Sequence, residues 1–92
     1  MNAVNGSLID LIGQTPMLKV NTFDTGPCEL YLKLENQNPG GSIKDRIGLS
    51  IIQEAEKSGE LRPGGTIVEA TAGNTGIGLA LVAALKGYEL IR

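Results

Sequence analysis

Residues 66–91 read TIVEATAGNTGIGLALVAALKGYELI, and the change of texture along this stretch decides the fold. Thr66 to Ala70 is a short apolar run of the kind that fills a buried strand. A glycine-punctuated break follows, Gly73-Asn74-Thr75-Gly76. From about Thr75 to Lys86 the pattern turns helical, with Ile77, Ala80, Leu81, Ala84 and Leu85 expected as the buried stripe. Gly87 marks its C-terminal stop, and Tyr88 to Ile91 is again strand-like. Strand, helix and strand in this order predict a parallel βαβ unit with a right-handed crossover.

Upstream, the pattern repeats. Ile43 to Ser58 has helical spacing, with Ile43, Ile47, Ile51, Ile52 and Ala55 on one face and Gln53, Glu54, Glu56 and Lys57 on the outer one. Ser42 and Asp45 form a capping-box-like pair at its start, and Gly59 marks its stop. Cys28 to Glu35 alternates as a strand does, and Met17 to Val20 suits an edge strand after the Thr15-Pro16 turn. Asn38-Pro39-Gly40-Gly41 and Pro63-Gly64-Gly65 are loops. The whole order predicts two successive βαβ crossovers, an α/β chain with a parallel sheet flanked by helices in three layers. No helix follows the last strand run, so one face of the sheet is left uncovered. The chain therefore reads as the front part of a larger α/β protein; the alternative is a short domain completed by a partner chain.

Composition narrows the chemistry. The 92 residues are 41% hydrophobic and 20% charged, which suits one small globular unit. A net charge of −2 with scattered basic residues gives no nucleic-acid footprint and no membrane patch. With no histidine, Ser-His-Asp and Cys-His catalysis, histidine-based zinc sites and a Cys–His haem ligand pair are all excluded. The single Cys28 excludes an internal disulfide and a multi-cysteine metal site, and its apolar-alternating surroundings suggest a buried structural thiol. No signal peptide or membrane-spanning run is visible, so the cytoplasm is the expected setting.

Two loops carry the candidate chemistry, and in a parallel sheet both would open at the same edge. In the first, Lys44 sits in the first turn of a helix, where a cation opposes the helix dipole at about 0.3–1 kcal/mol. A lysine there is either a solvent-exposed residue neutralised by Asp45 or an amine placed for chemistry, and Gly40-Gly41 would let a ligand approach the backbone. In the second, Thr71, Asn74 and Thr75 offer hydroxyls and an amide. The N–H groups around Gly73 and Gly76 open a helix and suit a carboxylate or phosphate. Ordinary N-capping by Asn74 or Thr75 is compatible with that use. Neither the P-loop nor the dinucleotide glycine spacing is matched.

Taken together, Pro39-Gly40-Gly41-Ser42-Ile43-Lys44-Asp45-Arg46 and Thr71-Ala72-Gly73-Asn74-Thr75-Gly76 resemble the lysine motif and the substrate-carboxylate loop of the cysteine synthase and cystathionine β-synthase family. Ile12-Gly13-Gln14-Thr15-Pro16 and the stretch from Gly76 to Tyr88 are similar to that family too. The resemblance implies the tryptophan-synthase-β-like fold of pyridoxal-phosphate enzymes. It also implies β-replacement on L-serine or an O-activated L-serine by a thiol or sulfide, a lyase or transferase reaction of cysteine biosynthesis or transsulfuration. Lys44 would hold pyridoxal 5'-phosphate covalently and transfer the substrate's α proton. Asn74 would contact the cofactor's ring hydroxyl oxygen. Thr71, Ala72, Gly73, Asn74 and Thr75 would form the carboxylate loop, with Ala72 standing where the family usually has serine. No metal and no haem are implied, and a homodimer is. Residues 1–39 would be shared with the large domain and the dimer interface, while residues 40–92 would begin the small cofactor and substrate domain. The family's phosphate-binding loop would lie beyond Arg92, leaving this segment unlikely to act alone. The competing readings are a non-catalytic anion-binding or assembly module, which would have no use for the Lys44 amine, and an inert fragment of such an enzyme.

Overall fold

The computed structural model describes residues 7–70 and 73–91. A single helical turn at Leu8–Leu11 is capped by Ser7, whose hydroxyl accepts the Ile9 N–H. Strands β1 (Met17–Val20) and β2 (Leu30–Lys33) follow, then a one-turn helix at Glu35–Gln37 and helix α1 (Lys44–Ser58). Strand β3 (Thr66–Val68), helix α2 (Asn74–Lys86) and strand β4 (Glu89–Ile91) complete the order.

The βαβ unit of residues 66–91 is present: β3 and β4 pair in parallel, Thr66 against Glu89 through Val68 against Ile91, with α2 crossing between them. The second expected crossover is not. Instead of joining that sheet, β2 pairs antiparallel with β1, Met17 against Lys33 through Val20 against Leu30. A tight turn drives this, with Gly26 at φ +62° and the Cys28 N–H donating to the Thr25 carbonyl. Strict alternation is itself the mark of a one-faced antiparallel strand, whereas the unbroken run in β3 belongs to a parallel one. Leu18, Val20, Leu30 and Leu32 share one face of the hairpin; Met17, Lys19, Tyr31 and Lys33 share the other. Cys28, in the turn before β2, is exposed rather than buried.

Both helices have the expected limits to within a residue. Gly59 (φ +82°) ends α1 and Gly87 (φ +81°) ends α2, each in the left-handed conformation that favours glycine. The buried faces, however, differ from the expected stripes. On α1, Asp45, Gly48 and Ile52 are buried, while Ile43, Ile47 and Ile51 are 50%, 38% and 47% exposed. On α2, Gly76, Gly78, Leu79, Val82 and Ala83 are buried, while Ile77, Ala80, Ala84 and Leu85 face outward and Leu81 is half-buried.

The reason is a backbone contact. A Cβ on Gly48 would lie 2.7 Å from the Gly78 carbonyl carbon, and one on Gly78 would lie 2.5 Å from the Lys44 carbonyl oxygen. The helices meet where neither has a side chain, and that contact decides which faces turn inward. Because α2 is apolar nearly all round, periodicity alone cannot choose its inner face. Farther along, the Glu56 carboxyl accepts from Lys86 Nζ (2.8 Å) and Tyr88 Oη (2.6 Å). With residues 44–48 beside Gly78 and Glu56 beside Lys86, the helices run in the same direction and start at one end. Ile12, Ile52, Leu79, Val82 and Ala83 form the core, flanked by Leu49, Leu61, Ile67 and Leu90.

Replacing a helix-interior glycine by alanine ordinarily stabilises by about 1 kcal/mol. At Gly78 we expect the reverse, a loss of about 1–3 kcal/mol from overpacking against Lys44. Chemical denaturation of the full chain carrying Gly78→Ala measures it, and a gain in stability would show that the helices do not depend on this contact.

Candidate active site

The start of α1 is built by its preceding loop. Gly41, at φ +89°, closes a turn in which its N–H donates to the Asn38 carbonyl (2.8 Å). The Ser42 hydroxyl then accepts the Lys44 N–H at 3.1 Å. Asp45 departs from the expected box: its fully buried carboxyl reaches past Ser42 and accepts the Gly40 N–H at 2.5 Å. Gly40 makes this possible because a Cβ there would fall on that carboxyl group.

Lys44 is half-buried, and among the described residues its ammonium makes no ion pair or side-chain hydrogen bond. Asp45 therefore does not neutralise it, because the Asp45 carboxyl is turned inward to Gly40. The one-turn offset between Lys44 and the start of α2 follows from the Lys44 carbonyl lying against Gly78. Sequence reading put both loops on one edge of a three-stranded sheet; they do share one end of the molecule, but through helix–helix packing.

At the start of α2 the expected capping by Asn74 or Thr75 is not seen. Gly73 is the N-cap, and among the described residues no side chain caps the helix. The exposed Asn74 amide and half-buried Thr75 hydroxyl have no partner among the described residues. The N–H groups of Asn74 and Thr75, in the first turn, have no carbonyl within the helix to serve. A Cβ on Gly73 would meet nothing within 4 Å, so the space beside it is open. Thr71 and Ala72 lie outside the described residues. Among the described residues, no cluster of side chains could hold a metal ion, and no helix is long and apolar enough to cross a membrane.

Behind Lys44 lies a polar clamp. Glu35 takes Arg46 Nε at 2.6 Å, Arg46 Nη2 at 3.0 Å and the Thr15 hydroxyl at 2.6 Å. Asn38 donates to both the carbonyl and the carboxyl of Glu35 and accepts the Gly13 N–H at 2.8 Å. Arg46 Nη2 also reaches the Gly13 carbonyl at 3.1 Å. The Arg46 guanidinium, with help from Thr15, holds the Glu35 carboxyl down to about 2. The segment Gly13–Thr15, the turn at Glu35 and the first turn of α1 are thus one bonded unit. Sequence reading quoted Thr15, Asn38 and Arg46 within motifs but gave them no role. A usable signal was the charge pair itself, with Glu35 before the loop and Arg46 after it.

The geometry defines a class: an α/β protein presenting, at one end, a helix-start lysine unpartnered among the described residues beside a glycine-led helix N-terminus. Residues 8–91 match the family model of pyridoxal-phosphate dependent enzymes, and the chain belongs to that family. It is 54% identical over 86 residues to a cysteine synthase of Staphylococcus aureus, covering 92% of this chain and 28% of that protein. It is 53% identical over 87 residues to a cystathionine beta-synthase of Apis mellifera, covering 91% of this chain and 17% of that protein. The solved structure of a hydrogen sulfide-producing enzyme from Fusobacterium nucleatum superposes with a TM-score of 0.90 at 53% identity. That match covers 98% of this chain and 30% of the other. The chain thus spans under a third of the length of these relatives, and its α/β fold is that of pyridoxal-phosphate enzymes of fold type II.

Glu35 gives a pH test. A carboxyl depressed from 4.5 to about 2 adds stability that is complete above pH 4.5 and is lost as pH falls toward 2. Unfolding midpoints of the full chain should fall steeply across that window. The Glu35→Gln variant should start lower at neutral pH and fall less steeply, and parallel curves would remove Glu35 as the acid-sensitive group.

Proposed function

We propose that this chain is the lysine- and carboxylate-binding part of a pyridoxal-phosphate enzyme that performs β-replacement on L-serine or an O-activated L-serine. The observation that carries the reading is the pairing of the Lys44 amine, unpartnered among the described residues, with the glycine-led start of α2 and its exposed Asn74 amide, held at one end by the Gly48–Gly78 contact. The residues present fit the cofactor: a free amine, a partnerless amide and hydroxyl at Asn74 and Thr75, and open space beside Gly73 and Gly41. When bound, pyridoxal phosphate supplies an electron sink for charge developing at the substrate α-carbon.

The chain's own part follows from its groups. Lys44 would hold the cofactor through its amine, and that amine, once free, would take the proton from the substrate's Cα and later return one. Asn74 would hold the cofactor's ring hydroxyl oxygen through its side-chain amide. Thr71, Ala72, Gly73, Asn74 and Thr75 bind the substrate carboxylate with the N–H groups and dipole of the α2 start. With Ala72 in the loop, backbone N–H donors and the flanking threonines carry that contact. A thiol or sulfide takes the place of the hydroxyl or activated oxygen at Cβ, which leaves as the Cβ–O bond breaks; relatives bearing the synthase names of both acceptor types match nearly equally, at 54% and 53%. Residues 40–92 begin the small domain in this reading. Residues 1–39 belong partly to the large domain and a homodimer interface, which the exposed apolar hairpin face of Leu18, Leu30 and Leu32 supports. The setting is cytoplasmic.

A module that only binds an anion would use α2 and leave Lys44 idle, so the test is at Lys44. The full-length protein is incubated with pyridoxal phosphate, reduced with borohydride and mapped by mass spectrometry. The expected adduct falls on the peptide containing Lys44, and Lys44→Ala removes both the adduct and the cofactor's bound absorbance without unfolding the chain. An adduct confined to another lysine, or bound absorbance retained in the variant, overturns the assignment.

A further inference from the structure

Asp45 is the one charged residue sealed entirely inside the described chain, at 0% exposure, and it adjoins Lys44 in sequence. A buried carboxyl is costly unless its oxygens are satisfied. Its Oδ2 accepts the Gly40 N–H at 2.5 Å, while Oδ1 is buried without any partner. Its backbone is committed as well, since a Cβ on Gly78 would lie 3.1 Å from the Asp45 Cα. The residue is therefore gripped by α2 on one side and grips the loop on the other.

From this we infer that Asp45 is a positioning residue for Lys44: it ties Gly40 to the first turn of α1 and so fixes the direction in which the Lys44 amine leaves the helix. The inference rests on the proposed role of Lys44 for its chemical consequence, but its structural half stands by itself. Three features agree. Gly40 has no side chain where the Asp45 carboxyl lies, so the two positions are matched in shape. The bond spans five residues, and its loop shares Gly40 and Gly41 with the turn closed by the Gly41 N–H on Asn38. Lys44 has no side-chain bond of its own, so only its backbone setting orients it. A buried, unpartnered Oδ1 costs stability, so the carboxyl's place in the fold is explained by what Oδ2 holds.

The test compares Asp45→Ala, Asp45→Asn and Gly40→Ala in the full-length protein, with two readouts. Amide hydrogen exchange reports the loop directly: Asp45→Ala should raise exchange at Gly40 by about tenfold or more, relative to Ile52 in the same helix. The rate at which saturating pyridoxal phosphate is trapped on Lys44 by borohydride should fall about tenfold, with labelling of Lys57 unchanged as a control. Asn at position 45 keeps an acceptor oxygen for Gly40 and should rescue both, while Gly40→Ala should reproduce the alanine phenotype by displacing the carboxyl. Unchanged Gly40 exchange in Asp45→Ala, or loss of Ile52 protection in step with Gly40 in all three variants, overturns the positioning role. If Gly40 exchange rises as expected but native Lys44 is never trapped, the loop bond stands and the cofactor assignment falls.

Discussion

Two helices that carry no side chain where they cross can approach until their backbones touch, and the meeting of Gly48 with Gly78 sets the rest of this molecule. Interior glycines lower helix propensity by about 1 kcal/mol each, so α1 and α2 accept a local loss to gain this approach. The contact selects the inner faces, placing Ile52 against Leu79, Val82 and Ala83 in the core. It also fixes the axial register of the helices, putting the Lys44 carbonyl one turn below the open start of α2. The Glu56 carboxyl, bonded to both Lys86 and Tyr88, ties the other ends together and prevents the pair from splaying.

Around that contact the chemistry is arranged by polar groups rather than by apolar packing. Glu35 and Arg46 bind the segment at Gly13–Thr15 to the first turn of α1, and Asp45 binds Gly40 to the same turn. Lys44 stands between these fastenings with no partner of its own. Such a turn is rigid in its backbone and free at its amine, which is what a nucleophilic or proton-transferring lysine requires. The low carboxyl of Glu35 is the electrostatic trace of the same arrangement: an acid held between a guanidinium and a hydroxyl stays ionised and keeps the clamp closed.

Helix limits were legible in the sequence because their signals are local. Gly59 and Gly87 each take the left-handed conformation at the end of a helix, and the strand at Met17–Val20 has the limits its short apolar run marks. Which helix face turns inward was not legible, because it depends on a glycine in one helix meeting a glycine in another. The isoleucines of α1 suggested the opposite face. Gly48, lone in a helix interior, was the available clue. The pairing of β2 was hidden for a related reason: chain order suggests a crossover, whereas the alternation of residues 28–35 signals a hairpin. At the site, the two loops were legible by composition and by family resemblance. The inward turn of Asp45 was not, since nothing in a single sequence says that a carboxyl will reach past Ser42 to Gly40.

The faces left bare follow from the same constraint. The Cα radius of gyration is 16.4 Å, against about 12 Å for a compact chain of this length. The difference comes from a hairpin that stands clear of the core, with Met17, Leu18, Tyr31 and Leu32 all exposed. On α1, turning Asp45, Gly48 and Ile52 inward sends Ile43, Ile47 and Ile51 outward along one stripe. A chain spanning 28% of a cysteine synthase offers two apolar surfaces in this way, one on the hairpin and one on α1. Under the proposed domain division these are the surfaces the remaining sequence of such an enzyme would cover. That division would set Lys44 where two packed bodies meet, a position suited to keeping water from a reacting amine.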